Sequence, residues 1–251
     1  MQLIRRLYDH FHEKAHHTKV ACLSIGLKYT AVTTSAGGIG IAYTYADDKR
    51  CCSANRDYRD YEGERAVDLL EEIKSPDPLH RSMGLALINA MNYHEASGLQ
   101  EDSTDGLWMD SFGIGSETRV AMVGLFRPLM RLFKDRGSLV EVLDDFQGVG
   151  ERSSFYRKLN EWAQILVLTS TSILNDSTEE ILNRLATGAK TVMIGPSTPM
   201  VAAAFLHLPV HMLAGTVPVD KEGVLKAVRH GKGTPVIHRF SRKVCLALDG
   251  R

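Results

Sequence analysis

Four short segments place glycine and small polar residues where an apolar run ends: Gly124, then Thr169-Ser170-Thr171 with Asn175, then Gly195-Pro196-Ser197-Thr198, then Gly215-Thr216. Hydroxyls, a carboxamide and backbone amides bared by glycine are the groups that hold a polar or anionic ligand against the main chain. The runs before them, residues 119–123, 162–169, 191–194 and 210–213, are rich in Val, Ile, Leu and Met. Such runs read as buried parallel strands, and in an open α/β sheet the turns that follow the strands collect at one edge, where ligands bind. Asp144 follows Gly124 at roughly the 20-residue distance at which an acid holds a ribose hydroxyl in dinucleotide sites. Only one glycine of a G-x-G-x-x-G fingerprint is present, so hydride transfer with a nicotinamide cofactor is not indicated.

Other chemistry-bearing groups form weaker patterns. Ser197 sits in Gly195-Pro196-Ser197-Thr198-Pro199 rather than in G-x-S-x-G, which argues against acyl transfer. His12 and His16 are one helical turn apart, a spacing used by some metal sites and equally by solvated helix faces. His94-Glu95 and Asp102, Asp105 and Asp110 could line a gap between two domains, where hard donors suit a divalent metal. The cysteines are Cys22, Cys51, Cys52 and Cys245, with no C-x-x-C. Free thiols fit a reducing compartment, and Cys51-Cys52 is open to thiol chemistry.

The elements that must position these groups change character midway. Residues 3–16 have helical apolar spacing. Residues 20–27, 29–34 and 39–45 read as strands separated by gaps too short for a crossover helix, hence an antiparallel meander with a turn at Ala36-Gly37-Gly38. Residues 47–62 are charged and loop-like. Helices follow over 64–73 and 79–92, the second bearing Asn89 on an otherwise apolar surface. Residues 95–117, rich in Gly, Asp and Ser, read as a linker. Beyond it strands and helices alternate: a strand over 138–143, a helix over 177–187 opened by a Ser177/Glu180 capping box and closed by Gly188, a short helix over 199–206, and a helix over 221–230 capped by Asp220. Residues 236–240 and 243–248 read as a terminal hairpin. The fold class is therefore α/β: an N-terminal α+β domain over 1–105 and a C-terminal Rossmann-like three-layer α/β/α domain over 106–251.

The chain has 251 residues, 44% hydrophobic and 24% charged, with a formal net charge of zero. That balance suits a globular protein and gives no electrostatic reason to expect nucleic acid or a membrane surface as partner. No apolar run reaches membrane-spanning length and the N-terminus lacks a signal-peptide core, so a cytoplasmic protein is expected.

Several stretches resemble the heavy-metal chelation domain family. They are Arg119-Val120-Ala121-Met122-Val123-Gly124-Leu125-Phe126-Arg127-Pro128-Leu129, Thr169-Ser170-Thr171-Ser172-Ile173-Leu174-Asn175-Asp176-Ser177-Thr178, Val192-Met193-Ile194-Gly195-Pro196-Ser197-Thr198-Pro199 and Leu213-Ala214-Gly215-Thr216. Thr34-Ser35-Ala36-Gly37-Gly38-Ile39-Gly40 and Gly84-Leu85-Ala86-Leu87-Ile88-Asn89-Ala90 are similar to the domain that precedes it in that family, itself described as like the N-terminal domain of enolase. The resemblance implies a ligand or metal site in the cleft between the domains, with a divalent or heavy metal ion as candidate cofactor. It brings no enolase chemistry, because the catalytic barrel is absent. Where the family commonly shows Gly after the Asn of the third turn, this chain has Asp176; where the resemblance leads to the expectation of a Glu after the second strand, this chain has Asp144-Asp145.

Gly37, Gly38, Asn89, Gly124, Asp144, Thr169, Asn175, Gly195, Ser197, Thr198 and Gly215 are accordingly the candidate ligand-binding residues. The expected function is binding of a small molecule or metal ion in the interdomain cleft, including heavy-metal chelation. The alternatives are an enzyme acting on a small polar, anionic or nucleotide-like ligand there, and a non-catalytic assembly module. The turns hold Asn, Ser, Thr and Gly rather than clustered Cys and His, which favours hard metals or polar organic ligands over soft ions.

Overall fold

The computed structural model describes residues 2–45 and 58–248. Helix α1 (Gln2–His16) buries Leu3, Leu7 and Phe11 along one stripe. Strands β1 (Val20–Ile25), β2 (Tyr29–Thr34) and β3 (Ile39–Tyr43) form an antiparallel three-stranded sheet in sequential order. Helix α2 (Ala66–Leu70) precedes α3 (Pro78–Met91), whose first turn is set by Pro78 and by the Asp77 carboxylate accepting Leu79 N at 2.9 Å. The meander is buried on both faces, which is why β2 and β3 lack polar alternation. Val32 and Ala42 share a core with α3, whereas Ala31, Ile39 and Ile41 pack on Val224 and Val228 from the C-terminal half.

Residues 93–111 are not a bare linker. They hold α4 (Tyr93–Ser97), β4 (Gln100–Glu101) and α5 (Gly106–Ser111). The rest runs β5 (Arg119–Val123), α6 (Arg127–Asp135), β6 (Leu139–Leu143), α7 (Arg152–Glu161), β7 (Ile165–Thr169), α8 (Thr178–Leu182), β8 (Lys190–Ile194), α9 (Ala202–Phe205), β9 (Met212–Pro218), α10 (Lys221–Arg229), α11 (Thr234–Ile237) and β10 (Ser241–Ala247). The second sheet has seven strands in the order β4-β10-β9-β8-β7-β5-β6. Its five inner and β6-side strands are parallel; β10 is antiparallel to β9 and to β4. The two sheets are separate, and the molecule is a two-domain α/β fold.

Three local readings of the sequence are corrected. Residues 234–240 are helical rather than the first arm of a hairpin, because Pro235 starts a turn and Ile237 is drawn into the core with α10; β10 pairs with β9 instead. Gly215-Thr216 lies inside β9, opposite Val244 and Lys243, not in a turn after it. Ser177 makes no cap bond: its hydroxyl donates to Asn175 Oδ1 at 2.7 Å, and α8 is a short helix that ends well before Gly188. No helix among the described residues is long and apolar enough to cross a membrane.

Candidate functional site

The strand order reverses at β5, with β6 on one side and β7 on the other, so the crevice at the ends of β5 and β7 is the topological switch point. Gly124 and Thr169 stand there. A cleft of two lobes opens at this edge and is closed by the meander. The larger, about 620 Å³, is lined by Tyr29, Tyr43, Phe126, Ile194, Pro196 and Ala214 and includes Thr216, His238 and Lys243. The smaller, about 470 Å³, is lined by Tyr45, Gly124, Asp144, Phe146, Tyr156 and Asn175. Tyr43, Phe126, Gln147, Thr169 and Thr171 border both.

The glycines of the sheet edge let neighbouring turns press together. Gly124 has φ +88°, and a Cβ there would lie 2.9 Å from Thr169 Cβ. Gly195 has φ +136°, and a Cβ would lie 2.7 Å from Ser170 Oγ. Both values exclude ordinary side chains on steric grounds. The Thr169 and Thr171 hydroxyls are 2.9 Å apart and brace the turn after β7. Asp144 builds the rim of the smaller lobe: its carboxylate accepts Leu125 N at 2.7 Å, and Gln147 N and Nε2 at 2.9 Å each. Asn175 Oδ1 accepts from Ser177 N and Oγ, and the carboxamide borders the smaller lobe. Asp176 beside it has φ +61°, a left-handed conformation that glycine adopts most readily.

Of the eleven candidate residues, Gly124, Asp144, Thr169, Asn175, Gly195, Ser197 and Gly215 border the two lobes. Asn89, Ser197 and Thr198 belong to a sealed seam beside them. Asn89 Nδ2 donates to Ile41 O at 2.9 Å and to Ser197 O at 3.3 Å, and Ser197 Oγ accepts Tyr43 N at 2.7 Å. Asn92 Nδ2 adds a bond to Met200 O at 2.8 Å. Gly37 and Gly38 lie on other contacts: Gly37 O accepts from Lys221 Nζ on α10, and Gly38 packs against Ala90 O on α3.

The aromatic wall and the polar end of the larger lobe are missing from the sequence reading. Tyr29, Tyr43 and Tyr45 form a row, with ring centroids 6.1 and 6.5 Å apart. The 43/45 alternation was the available signal. Tyr29 Oη lies 2.6 Å from Thr234 Oγ1, and burial pushes the phenol to about 12. At the other end Lys243 Nζ sits 2.5 Å from Asp105 Oδ2. Asp105 is 5% exposed, with φ +61°, and burial raises its pKa despite the ammonium. Asp102 accepts Leu107 N and Trp108 N. His238 Nε2 lies 3.3 Å from Thr216 Oγ1; burial, aided by the Lys243 charge, lowers its pKa and favours the neutral ring.

The donor set is a poor fit to a resident soft metal. Among the described residues no group of three or more His, Cys, Asp or Glu is placed to hold an ion. The cleft offers hydroxyl and carboxylate oxygens and a single imidazole, His238. His12 and His16 stack edge to face at 4.7 Å on α1, outside the cleft. Asp102 and Asp105 do border the larger lobe, whereas Glu95 pairs with Lys14 and Asp110 with Arg136, and the His94 ring lies against Ala36 O. Cys245 is buried, which raises its thiol pKa; Cys51 and Cys52 lie outside the described residues.

A family model described as "Putative heavy-metal chelation" matches residues 107–247, and a second model with the same description matches residues 8–92. An uncharacterized protein of Methanocaldococcus jannaschii is 22% identical over 250 residues, 94% of this chain and 93% of that one. A crystal structure from Pyrococcus horikoshii, of a protein of unknown function in this family, superposes with a TM-score of 0.82 at 21% identity, covering 98% of this chain and 99% of the other. One from Desulfitobacterium hafniense, also of unknown function, gives 0.78 at 18% identity with the same coverage. At these identities the structural likeness speaks to the fold.

Proposed function

The chain belongs to the heavy-metal chelation family, and from that premise we propose that it is a binding protein whose interdomain cleft holds a small organic molecule bearing the metal in its own donor atoms. One observation carries this reading: a lobe of about 620 Å³ walled by Tyr29, Tyr43, Phe126, Ile194 and Pro196, in a cleft whose donors are oxygens and the lone His238 imidazole, with no converging set of three ligands among the described residues. That volume is in the range that encloses a drug-sized molecule, and mostly apolar walls with a few polar groups are what such a molecule requires. A bare soft ion would want thiolate or imidazole ligands in fixed geometry. Calorimetric titration with Zn²⁺, Co²⁺ and Ni²⁺, alone and precomplexed with 8-hydroxyquinoline, tests it. Binding of the complexes but not of the free ions is expected. Stoichiometric, tight binding of a free ion would refute it.

The second reading is an enzyme acting on a polar, anionic or nucleotide-like ligand in the same cleft. It is favoured by Gly124 and Asp144 flanking the switch point, the usual location of nucleotides in doubly wound sheets. Heat released by nucleotides in the same titration, abolished in Gly124→Val, would promote this reading over the first.

A further inference from the structure

We propose that the larger lobe is built for an organic anion, its apolar body lying along the aromatic wall and its anionic group bound by Lys243. This rests on the cleft as the binding site and adds the chemical class of what enters it.

Besides Gln147 and the hydroxyls of the turns after β7 and β8, the larger lobe gathers a group of polar atoms at one end. Thr216 and Lys243 come from the paired strands β9 and β10, opposite one another in register, and His238 and Thr234 from the helical segment between α10 and β10. Lys243 is the charged group among them. An ammonium has three donors, and a single acceptor, Asp105 Oδ2, is recorded for this one. Asp105 is almost fully buried and Lys243 is 29% exposed, so the ammonium is the more accessible member of the pair and the carboxylate anchors it. Asp102 is also buried and its oxygens face the amides of α5. Neutral His238 neither repels an incoming anion as a carboxylate would nor repels Lys243. Arg127 borders the same lobe at the start of α6, is exposed, and makes no ion pair among the described residues.

An apolar chamber that ends on an under-used ammonium asks its occupant for an acceptor at one end. A neutral apolar molecule would strip water from Lys243 and return nothing, whereas an anionic group restores a charge-assisted bond.

The two probes are 8-anilinonaphthalene-1-sulfonate and N-phenyl-1-naphthylamine, the same ring system with and without the anionic group, followed by fluorescence. Wild type should bind the sulfonate at least about tenfold more tightly, one charge-assisted hydrogen bond in affinity terms. Lys243→Met should erase that preference by weakening the sulfonate alone. If the single variant fails to fold because Asp105 is left buried and unpaired, Asp105→Asn combined with Lys243→Met carries the same readout. Equal affinities in wild type, or a preference that survives loss of Lys243, overturns the proposal. Gln147→Trp, which plugs the junction of the lobes, separates this from the underlying reading. It should weaken both probes together; if neither responds, the probes bind elsewhere and the cleft reading falls, taking the anion assignment with it.

Discussion

The same two domains meet in two ways within a few residues of each other. At the seam, β3 and α3 lie against the loop after β8, and the space enclosed by Gly40, Asn89, Asn92, Thr198 and Met200 is about 10 Å³, the scale of one water. At the cleft, β2 and β3 face the turns after β5 and β7 across lobes of about 620 and 470 Å³. The difference lies in side-chain type. At the seam Asn89, Asn92 and Ser197 bond main-chain groups of the other domain, and Gly40 lets β3 lie directly on α3 behind them. The cleft uses Tyr29, Tyr43, Tyr45 and Phe126, whose bulk holds the layers apart. The cleft is thus propped open beside a closely packed, hydrogen-bonded joint.

Breaking the β3–α3 packing on which the seam is mounted should have the largest effect. A Cβ on Gly40 would lie 2.1 Å from Ala90 N and 2.3 Å from Ala86 O, both backbone atoms of α3 that cannot swing away. Gly40→Val is expected to cost about 3 kcal/mol or more, at the upper end of overpacking, read as a lowered urea midpoint. A stability within 1 kcal/mol of wild type would mean that the β3–α3 packing beneath the seam yields, and the contrast with the cleft would fail.

Asn89→Leu comes next. It removes one carboxamide that serves Ile41 O within its own domain and Ser197 O across the seam, leaving both carbonyls short of a donor. The expected loss is about 1–3 kcal/mol. Because Asn89 borders neither lobe, sulfonate affinity per folded molecule should stay the same. A large loss of affinity with unchanged stability would move Asn89 from joint to site.

How much of this was legible in the sequence follows from the range of the interactions. The parallel strands announced themselves because both faces are covered and the runs are continuously apolar, and the turns after β5, β7 and β8 fell out with them. Helix α7 carries few core residues, Phe155 and Leu159 among Arg, Ser, Lys and Asn, so its period is faint; the Glu151 cap that fixes its start is a local signal that went unread. Residues 95–117 look like a linker by composition, yet the left-handed turn at Asp105 and the pairing of β4 with β10 depend on partners far along the chain. The cleft's aromatic wall is contributed by one sheet and its glycine turns by another. The glycine edge is readable from one strand–turn pattern, whereas the wall exists only after the domains dock. Lys243 was invisible for the same reason: its role is set by Asp105, which no spacing rule connects to it.

A smaller effect separates the two regions by pH. The seam's ties are amides and hydroxyls that do not titrate. The cleft holds His238, kept neutral in the folded protein by burial and by Lys243. Its folded pKa is lower than its unfolded one, near 6.5, so the unfolded chain binds more protons as pH falls below about 6.5. Stability tied to this ring is intact above that pH, declines as pH drops toward the folded pKa, and is flat below it. His238→Gln should therefore lose less stability than wild type between pH 7.5 and 5.5 in paired urea titrations. Parallel declines in the two proteins would show that the ring is protonated in the fold. Asn89→Leu should leave the slope of wild type untouched.

The smallest expected change is also the one that sharpens the border of the cleft. Asn175 stands on the turn after β7, and its Oδ1 already holds Ser177 N at 3.3 Å and Ser177 Oγ at 2.7 Å. That turn is further held from the other domain by Arg81, whose Nε donates to Leu174 O at 2.5 Å. Losing the Asn175 carboxamide should therefore cost about 0.5–1.5 kcal/mol, the net worth of an ordinary hydrogen bond, because Arg81 keeps the main chain in place. With Oδ1 so engaged, Nδ2 is the amide's remaining donor group at the border of the smaller lobe. Asn175→Asp keeps the acceptor and removes that donor, whereas Asn175→Ala removes both. If Ala loses stability and Asp keeps it, while both weaken binding of the 8-hydroxyquinoline complexes, the residue serves the turn through its oxygen and the ligand through its nitrogen. Equal binding in Asp and wild type would restrict Asn175 to the turn and draw the boundary of the working cleft at Thr169 and Thr171.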